Sequence, residues 1–413
     1  MNILYLSAFC PSASGDNAAV VDAYYLLQAL NKRHNVTVIT FISAADRRAI
    51  EECRSVCDEL ITVPTPAAPR SWRYLACTAR SFLSSLPAIA YMSHSAKFVG
   101  QVRRVAHLSG FDVVHVQYTQ LAHYVEYLEG LPAVLEEGDL AFVRRERFAK
   151  TVTNPIKRFL LLLDTAKLKH YEIGFSKQYD GILVRSEADR ATLSSLVPER
   201  PIASFPPWVD LSLTARVSAI PTGEDLMFYG AMWRPVNEQA VAYFAQKIFP
   251  QISTRVPQTC FVIAGSRPST LVRSLANARI EVTGFVDDIA PIYSRAAVVV
   301  APLLAGSGIK GKVIQALAYG RPVVTTSIGA EGIPGKEADG LFVCDNPRDF
   351  AECVLSLLHN KSYLRYCKPA QAFIRRYYDW TAGVVTVEQM YQTAIQVRHA
   401  GECNVGSRGA KGE

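Results

Sequence analysis

Long apolar runs are missing from this 413-residue chain. No stretch approaches the roughly 18 uninterrupted apolar residues of a membrane span, so no crossing helix is expected. The start, MNILYLSAF, has no basic segment ahead of its apolar residues and soon turns polar; it reads as a first β-strand rather than a secretion signal, and a cytoplasmic protein is expected. Cysteine supplies no framework either: nine residues, odd in number and scattered, do not suit the paired bridges of a secreted domain. Cys53 and Cys57 stand four apart, but no second Cys/His pair with zinc spacing accompanies them, and no metal is implied. Internal repeats of about 20 to 50 residues are absent, as are zinc-finger, helix-turn-helix and aromatic RNA-binding signatures. A net charge of +7 therefore does not by itself call for nucleic acid, and none is expected as a partner.

What is present is a globular balance, with 49% hydrophobic and 20% charged residues. The length suits two domains of about 200 residues each. In the first half, strand signals at 3–7, 36–41, 113–116, 133–135 and 181–184 alternate with helical ones at 18–30 and 164–177, a doubly wound α/β layout. Ser186, with Asp189 three residues on, is a helix N-cap. Pro198, Pro201, Pro206, Pro207 and Pro221 mark a linker over 198–223. A second series follows, with strands at 226–229, 260–264 and 280–282 and a helix over 239–252. The expected division is 1–200 and 201–370 as two Rossmann-like domains, 371–398 as a helical segment returning to the first, and 399–413 as a polar, Gly-rich, disordered tail.

The densest signal runs from Gly284 to Gly332. Residues 297–302 are a short apolar run of the kind buried on both faces of a parallel sheet. Then come Ala305-Gly306-Ser307-Gly308, a helical period from Lys310 to Tyr319 closed by Gly320, and the strand Pro322-Val323-Val324. In such βαβ units ligands sit beyond the carboxyl ends of the strands, where glycines admit the backbone and helix N-termini favour anions. Lys310 adds a cation within the first turn. The plainer account of this loop is an ordinary packing turn.

A second cluster, Arg144, Arg145, Arg147, Lys150, Lys157 and Arg158, falls just before Phe159-Leu160-Leu161-Leu162-Leu163. The preferred reading is a solvated helix face whose leucines enter the core. The other is a helix resting on a membrane surface through residues 144–158, at the inner face of the cytoplasmic membrane.

Taken in order, the blocks Phe228-Tyr229-Gly230-Ala231-Met232, Pro235 with Asn237, Ala264-Gly265, Thr283-Gly284-Phe285-Val286-Asp287-Asp288, Ala301-Pro302-Leu303, Gly306-Ser307-Gly308-Ile309-Lys310 and Ala316-Leu317-Ala318-Tyr319-Gly320-Arg321-Pro322-Val323-Val324 resemble the family 4 (group 1) glycosyltransferases of the GT-B fold. The first half is similar more loosely, through Ile3-Leu4-Tyr5-Leu6-Ser7, Gly15-Asp16, His34-Asn35-Val36-Thr37, Asp112-Val113-Val114-His115 and Ser186-Glu187-Ala188-Asp189-Arg190. The resemblance implies two Rossmann-like, doubly wound domains facing a cleft, an acceptor-side domain first and a nucleotide-sugar donor domain second. It implies transfer of a sugar from a UDP- or GDP-type nucleotide-sugar to a saccharide or lipid-linked acceptor, with retention at the anomeric carbon, no metal and no cofactor beyond that co-substrate. Bacterial cell-surface polysaccharide or glycoconjugate synthesis is the implied setting. Lys310 and Arg234 would offset the departing diphosphate. Gly230, Gly306, Ser307 and Gly308 would line the donor, Gly284, Phe285 and Val286 would meet the base, and Gly15 and Asp16 would approach the phosphates. No protein nucleophile is implied.

Two departures from the family pattern stand out. Its paired glutamates, eight positions apart and meeting the transferred sugar and the ribose, correspond to Ser307 and Gln315 here. A glutamine has one acceptor oxygen where a carboxylate has two, so weaker ribose binding is expected. The His-x-His setting reads His115-Val116-Gln117, which puts the functional position on Gln117 and turns His115 into the sheet as a satisfied core residue or, less often, a substrate contact. Glu136, Glu137 and Asp139 end the next strand, and Glu137 is a candidate to orient the acceptor hydroxyl. A non-catalytic nucleotide-sugar-binding scaffold is the alternative, and a GT-B epimerase or phosphorylase a third.

Overall fold

The computed structural model describes residues 1–413 other than 16, 17, 44, 45, 67–79, 82, 109, 206, 208, 210, 215, 216, 219, 307 and 410–413. The chain divides into unit 1, Met1–Phe205 with Gly383–Glu413, and unit 2, Pro206–Ala382. The change of unit expected at 200 falls at Phe205/Pro206, and the returning segment starts at Gly383 rather than at 371.

Unit 1 is built on seven parallel strands, β1 (Asn2–Ser7), β2 (Asn35–Ile42), β3 (Glu59–Pro64), β4 (Val113–Gln117), β5 (Ala133–Glu136), β6 (Gly181–Val184) and β7 (Ile202–Ser204), in the order β3-β2-β1-β4-β5-β6-β7. β1 lies centrally, and its residues Ile3 to Leu6 are wholly buried because helices cover both faces. Three of these elements follow the sequence signals closely: β1, the helix Ala18–Leu30, and the helix Glu187–Leu196, whose N-cap Ser186 accepts from the Asp189 N–H.

Unit 2 has six parallel strands, β8 (Asp225–Tyr229), β9 (Phe261–Ala264), β10 (Ile280–Gly284), β11 (Ala296–Ala301), β12 (Val323–Thr325) and β13 (Leu341–Val343), ordered β10-β9-β8-β11-β12-β13. All six residues of β11 are buried, as its unbroken apolar run requires. One cluster around Phe228, Phe244 and Phe261 fills one side of the sheet, and another around Tyr293, Val313 and Tyr319 fills the other. The helix expected over 239–252 is in fact Pro235–Tyr243, a π-turn Phe244–Ile248 and then Phe249–Ser253. Pro250 lacks the N–H that an unbroken α ladder would use there.

The helix Trp380–Gly409 carries the chain back to unit 1. Glu388 meets Arg33 and His34, the Tyr391 hydroxyl reaches His115 Nδ1 (2.8 Å), and both Arg398 N–H groups reach Asp180 Oδ2 (3.1 and 2.8 Å). The disordered tail expected from 399 is instead helical as far as Gly409. Polarity denies this segment a core, yet a helix already nucleated by its docked part extends at little cost.

Candidate functional site

β8 and β11 are neighbours, but the chain leaves them in opposite directions across the sheet, towards β9 and towards β12. The loops beyond their carboxyl ends therefore part and leave a crevice. On the β8 side of it the strand ends are tied by backbone: Gly230 N–H donates to Ala264 O (3.0 Å) and Gly265 N–H to Gly284 O (3.0 Å). At Gly265 (φ +143°) a Cβ would fall 1.8 Å from Gly230 O, so this approach of β8 and β9 requires glycine. A Cβ on Gly230 would stand 2.9 Å from Asn237 Nδ2 and 3.1 Å from Lys312 Nζ; its absence leaves room in front of both groups.

Three cations gather here. Arg234 is exposed at the N-cap of Pro235–Tyr243. Lys310 caps the helix Gly311–Ala318; its Nζ donates to Gly308 O (2.5 Å) and lies 3.8 Å from Glu331 Oε2. Lys312, in the first turn of that helix, donates to Asn237 Oδ1 and sits 4.5 Å over the Phe228 ring. Burial, reinforced by the charges of Arg234 and Lys310, lowers the Lys312 ammonium to a pKa of about 7. Three basic groups at one sheet edge, one of them titrating near pH 7, beside the N-terminus of a helix, make a site for a polyanion. Gln315 lies half-buried three residues on from Lys312, on the same helix face. Phe285 is exposed and Val286 half-buried beyond β10, so Phe285 does not enter the core. Ser307 lies outside the described residues, between Gly306 and Gly308.

In unit 1 the expected substrate groups are placed differently. Gln117 is buried at the end of β4; its Oε1 accepts from Ser7 Oγ (2.6 Å) and its Nε2 donates to Ala19 O (3.3 Å), so it links β1, β4 and the first helix. His115 is also buried, stacked on Tyr5 at 4.5 Å, with Nδ1 on Tyr391 and Nε2 on Glu136 Oε2 (2.8 Å). Both ring nitrogens have partners within unit 1. Glu137 is wholly buried, receives the Thr119 hydroxyl, and has its pKa raised by desolvation and by Glu172. Its other oxygen, Oε1, is buried without a hydrogen-bond partner among the described residues. Gly15 is half-buried and a Cβ there would meet Val20 Cγ1 at 2.6 Å; its loop is tied down by Glu52, which accepts from Ser12 Oγ (2.5 Å) and Ser14 Oγ (2.9 Å). Asp16 lies outside the described residues.

Residues 223–360, which contain the whole crevice, match the family described as Glycosyl transferases group 1. Over these residues the chain is similar to group 1 glycosyl transferases. A protein of Klebsiella pneumoniae described as an uncharacterized 44.6 kDa protein in the cps region is 26% identical over 165 residues, which is 38% of this chain and 42% of that protein. The match thus spans about two fifths of that relative's length. Two solved structures superpose over nearly the whole chain. They are sucrose-phosphate synthase from Thermosynechococcus elongatus (TM-score 0.66, 15% identity, 95% of this chain and 98% of that one) and Anabaena HepE in complex with UDP and glucose (TM-score 0.65, 13% identity, 94% and 98%). The fold is of the GT-B type, two Rossmann-like domains.

Lys310 and Arg234, candidates from the sequence, both lie close to Lys312; the sequence pattern singled out neither Lys312 nor the part Asn237 plays beside it. The signal was available: Lys312 is two residues past Lys310 in a helix whose buried positions are apolar, and a half-buried lysine there needs a polar partner.

Proposed function

We propose that the chain is a retaining glycosyltransferase that moves a sugar from a nucleotide-sugar of the UDP or GDP type to a hydroxyl of a saccharide or lipid-linked acceptor, in the cytoplasm, for a cell-surface polysaccharide or glycoconjugate. The observation that carries this reading is the convergence of Arg234, Lys310 and Lys312 at the switch point of a region similar to group 1 glycosyl transferases. As the bond from the anomeric carbon to the diphosphate breaks, negative charge grows on the leaving oxygen. Fixed cations and helix N–H groups stabilise that charge more than the ground state, which is how such a site lowers the barrier. Charge neutralisation by these side chains is why a metal-independent reaction is proposed. The capsule-region relative favours polysaccharide synthesis as the setting.

Calorimetric titration with UDP, GDP and their glucose and mannose conjugates tests the donor assignment. Lys310→Ala is expected to raise the donor Kd about ten- to a hundredfold, the worth of one charge-assisted hydrogen bond, with an unchanged melting curve. Unchanged affinity would remove Lys310 from the phosphate site. The anomeric configuration of the product, read by NMR, tests retention.

A binding protein without turnover is the second reading, favoured by Gln315 and by the burial of His115, Gln117 and Glu137. Gln315→Glu separates the two. If Gln315 meets the ribose, a carboxylate there accepts from both hydroxyls, and donor affinity is expected to rise about tenfold. Turnover appearing only in the glutamate variant would favour the binding protein.

A further inference from the structure

The leucines after the basic cluster do not enter the core. The helix Pro155–Ser176 is capped by Asn154, whose side chain accepts from the Lys157 N–H (2.9 Å), and it packs antiparallel-fashion behind Ala141–Thr151 as a helical hairpin. Its burial changes at one position. From Asp164 onward it is anchored: Asp164 accepts from the Ala88 N–H (2.9 Å) and pairs with Arg145 (2.8 Å), and Thr165, Leu168, Tyr171 and Glu172 are buried. Before it, residues 153–160 are exposed on every side of the helix, with Ile156 72% and Phe159 60% exposed, followed by Leu160, Leu162 and Leu163; Phe148 is exposed on the other helix of the hairpin. The nine residues 155–163 extend about 13 Å at an α-helical rise.

We infer that this hairpin end is a wedge that inserts into an anionic phospholipid surface. The charge of the same segment selects that partner: residues 147–163 carry Arg147, Lys150, Lys157 and Arg158 and no carboxylate. A second copy of this chain would have to bring four cations against four, whereas an anionic headgroup layer complements them while its acyl boundary accepts the apolar side chains. No helix among the described residues is long and apolar enough to cross a membrane, so the contact is with one face of a bilayer. The surface belongs to unit 1 and does not depend on the nucleotide site of unit 2.

Co-sedimentation of the full chain with phosphatidylglycerol-containing vesicles, set against phosphatidylcholine vesicles, tests this. Binding is expected to the anionic vesicles. Lys157→Gln with Arg158→Gln is expected to lower the affinity about thirtyfold, at about fivefold per cation, and Phe159→Ser with Leu160→Ser and Leu163→Ser to abolish it. Because these side chains are exposed, the melting curve and UDP binding of both variants should match those of the parent; should the serine variant misfold, Phe159→Trp reports instead through a blue shift of its emission on adding anionic vesicles. Absence of binding by the parent chain, or binding indifferent to both sets of changes, overturns the inference. A dimer in sedimentation velocity that the serine variant breaks, without vesicle binding, overturns it in favour of a second copy.

Discussion

Lys312→Met is expected to stabilise the fold and cripple donor binding at once. The lysine is held at about pH 7 against an ordinary value of 10.5, because burial and the neighbouring charges of Arg234 and Lys310 oppose its ammonium form. The sign follows from proton counts: between about pH 7 and 10.5 the unfolded chain holds this proton and the native one does not, so native stability rises with pH across that window. Below pH 7 both states are charged and the native state carries the full penalty, on the order of a few kcal/mol. Methionine keeps the stem's packing without the charge. The variant should therefore melt higher than the parent at pH 6, with the gain fading as pH approaches 10. A diphosphate reverses the electrostatics of the crevice, so donor binding should draw a proton onto Lys312 at pH 8, and the parent's affinity should fall towards tenfold per pH unit above 7. Calorimetry in buffers of different ionisation enthalpy reads that uptake. In the methionine variant both the uptake and the pH slope should vanish, along with about ten- to a hundredfold of affinity. A parent chain that binds donor with no proton uptake at pH 8 would take Lys312 out of the phosphate site.

The same residue shows how far a sequence can be read. Strands such as β1 and β11 were legible because a strand buried on both faces must be continuously apolar, and Gly320 and Ser186 punctuated their helices in the expected way. β3, β7 and β13 were not, since their short runs carry edge or half-buried positions without a clear period. On the site, the glycine-rich turns and Lys310 announced themselves through local pattern. Lys312 owes its chemistry to Asn237, 75 positions away, and to the Phe228 ring, a convergence only the fold supplies. The unit 1 candidates show the converse. Gln117 ends β4, Glu137 directly follows β5 and His115 lies in the middle of β4, and a one-dimensional reading cannot tell a polar group facing solvent from one buried against Ser7, Thr119 or Tyr391. The leucines at 160–163 were misjudged for a related reason: helical period identifies an apolar stripe but not whether anything covers it.

Glu136→Leu should be among the most damaging single changes in unit 1. Its carboxylate is wholly buried, with Oε1 on Arg185 Nη2 (2.5 Å) and Oε2 on His115 Nε2 (2.8 Å). Burial by itself would raise its pKa, but Arg185 and His115 hold it down at about 2. Removing it leaves the buried Arg185 guanidinium with Asp22, at 3.6 Å, as its one carboxylate among the described residues and the Phe205 ring beneath it, and a loss of about 3–5 kcal/mol is expected. For a unit of this size that corresponds to a melting point lower by about 6–20 °C. The network also has a pH signature. Glu136 is depressed, so its contribution is complete above about pH 4.5 and is lost as pH falls through about 2. Asp22 is pushed up to about 6 by burial, with Glu136 adding to the rise and Arg185 opposing it. In the leucine variant the repulsion from Glu136 is gone and Arg185 has one carboxylate left to pair with, so Asp22 should titrate below 6. The carboxyl carbon resonance of Asp22 reports that directly. A double replacement, Glu136→Leu with Arg185→Met, removes both charges, lets the buried Asp22 go neutral and should recover most of the lost stability, because the damage in the single variant is a buried cation left with only the longer contact to Asp22. If the double variant proved as unstable as the single one, the penalty would instead lie in the His115–Tyr391 contact that holds the returning helix to the sheet.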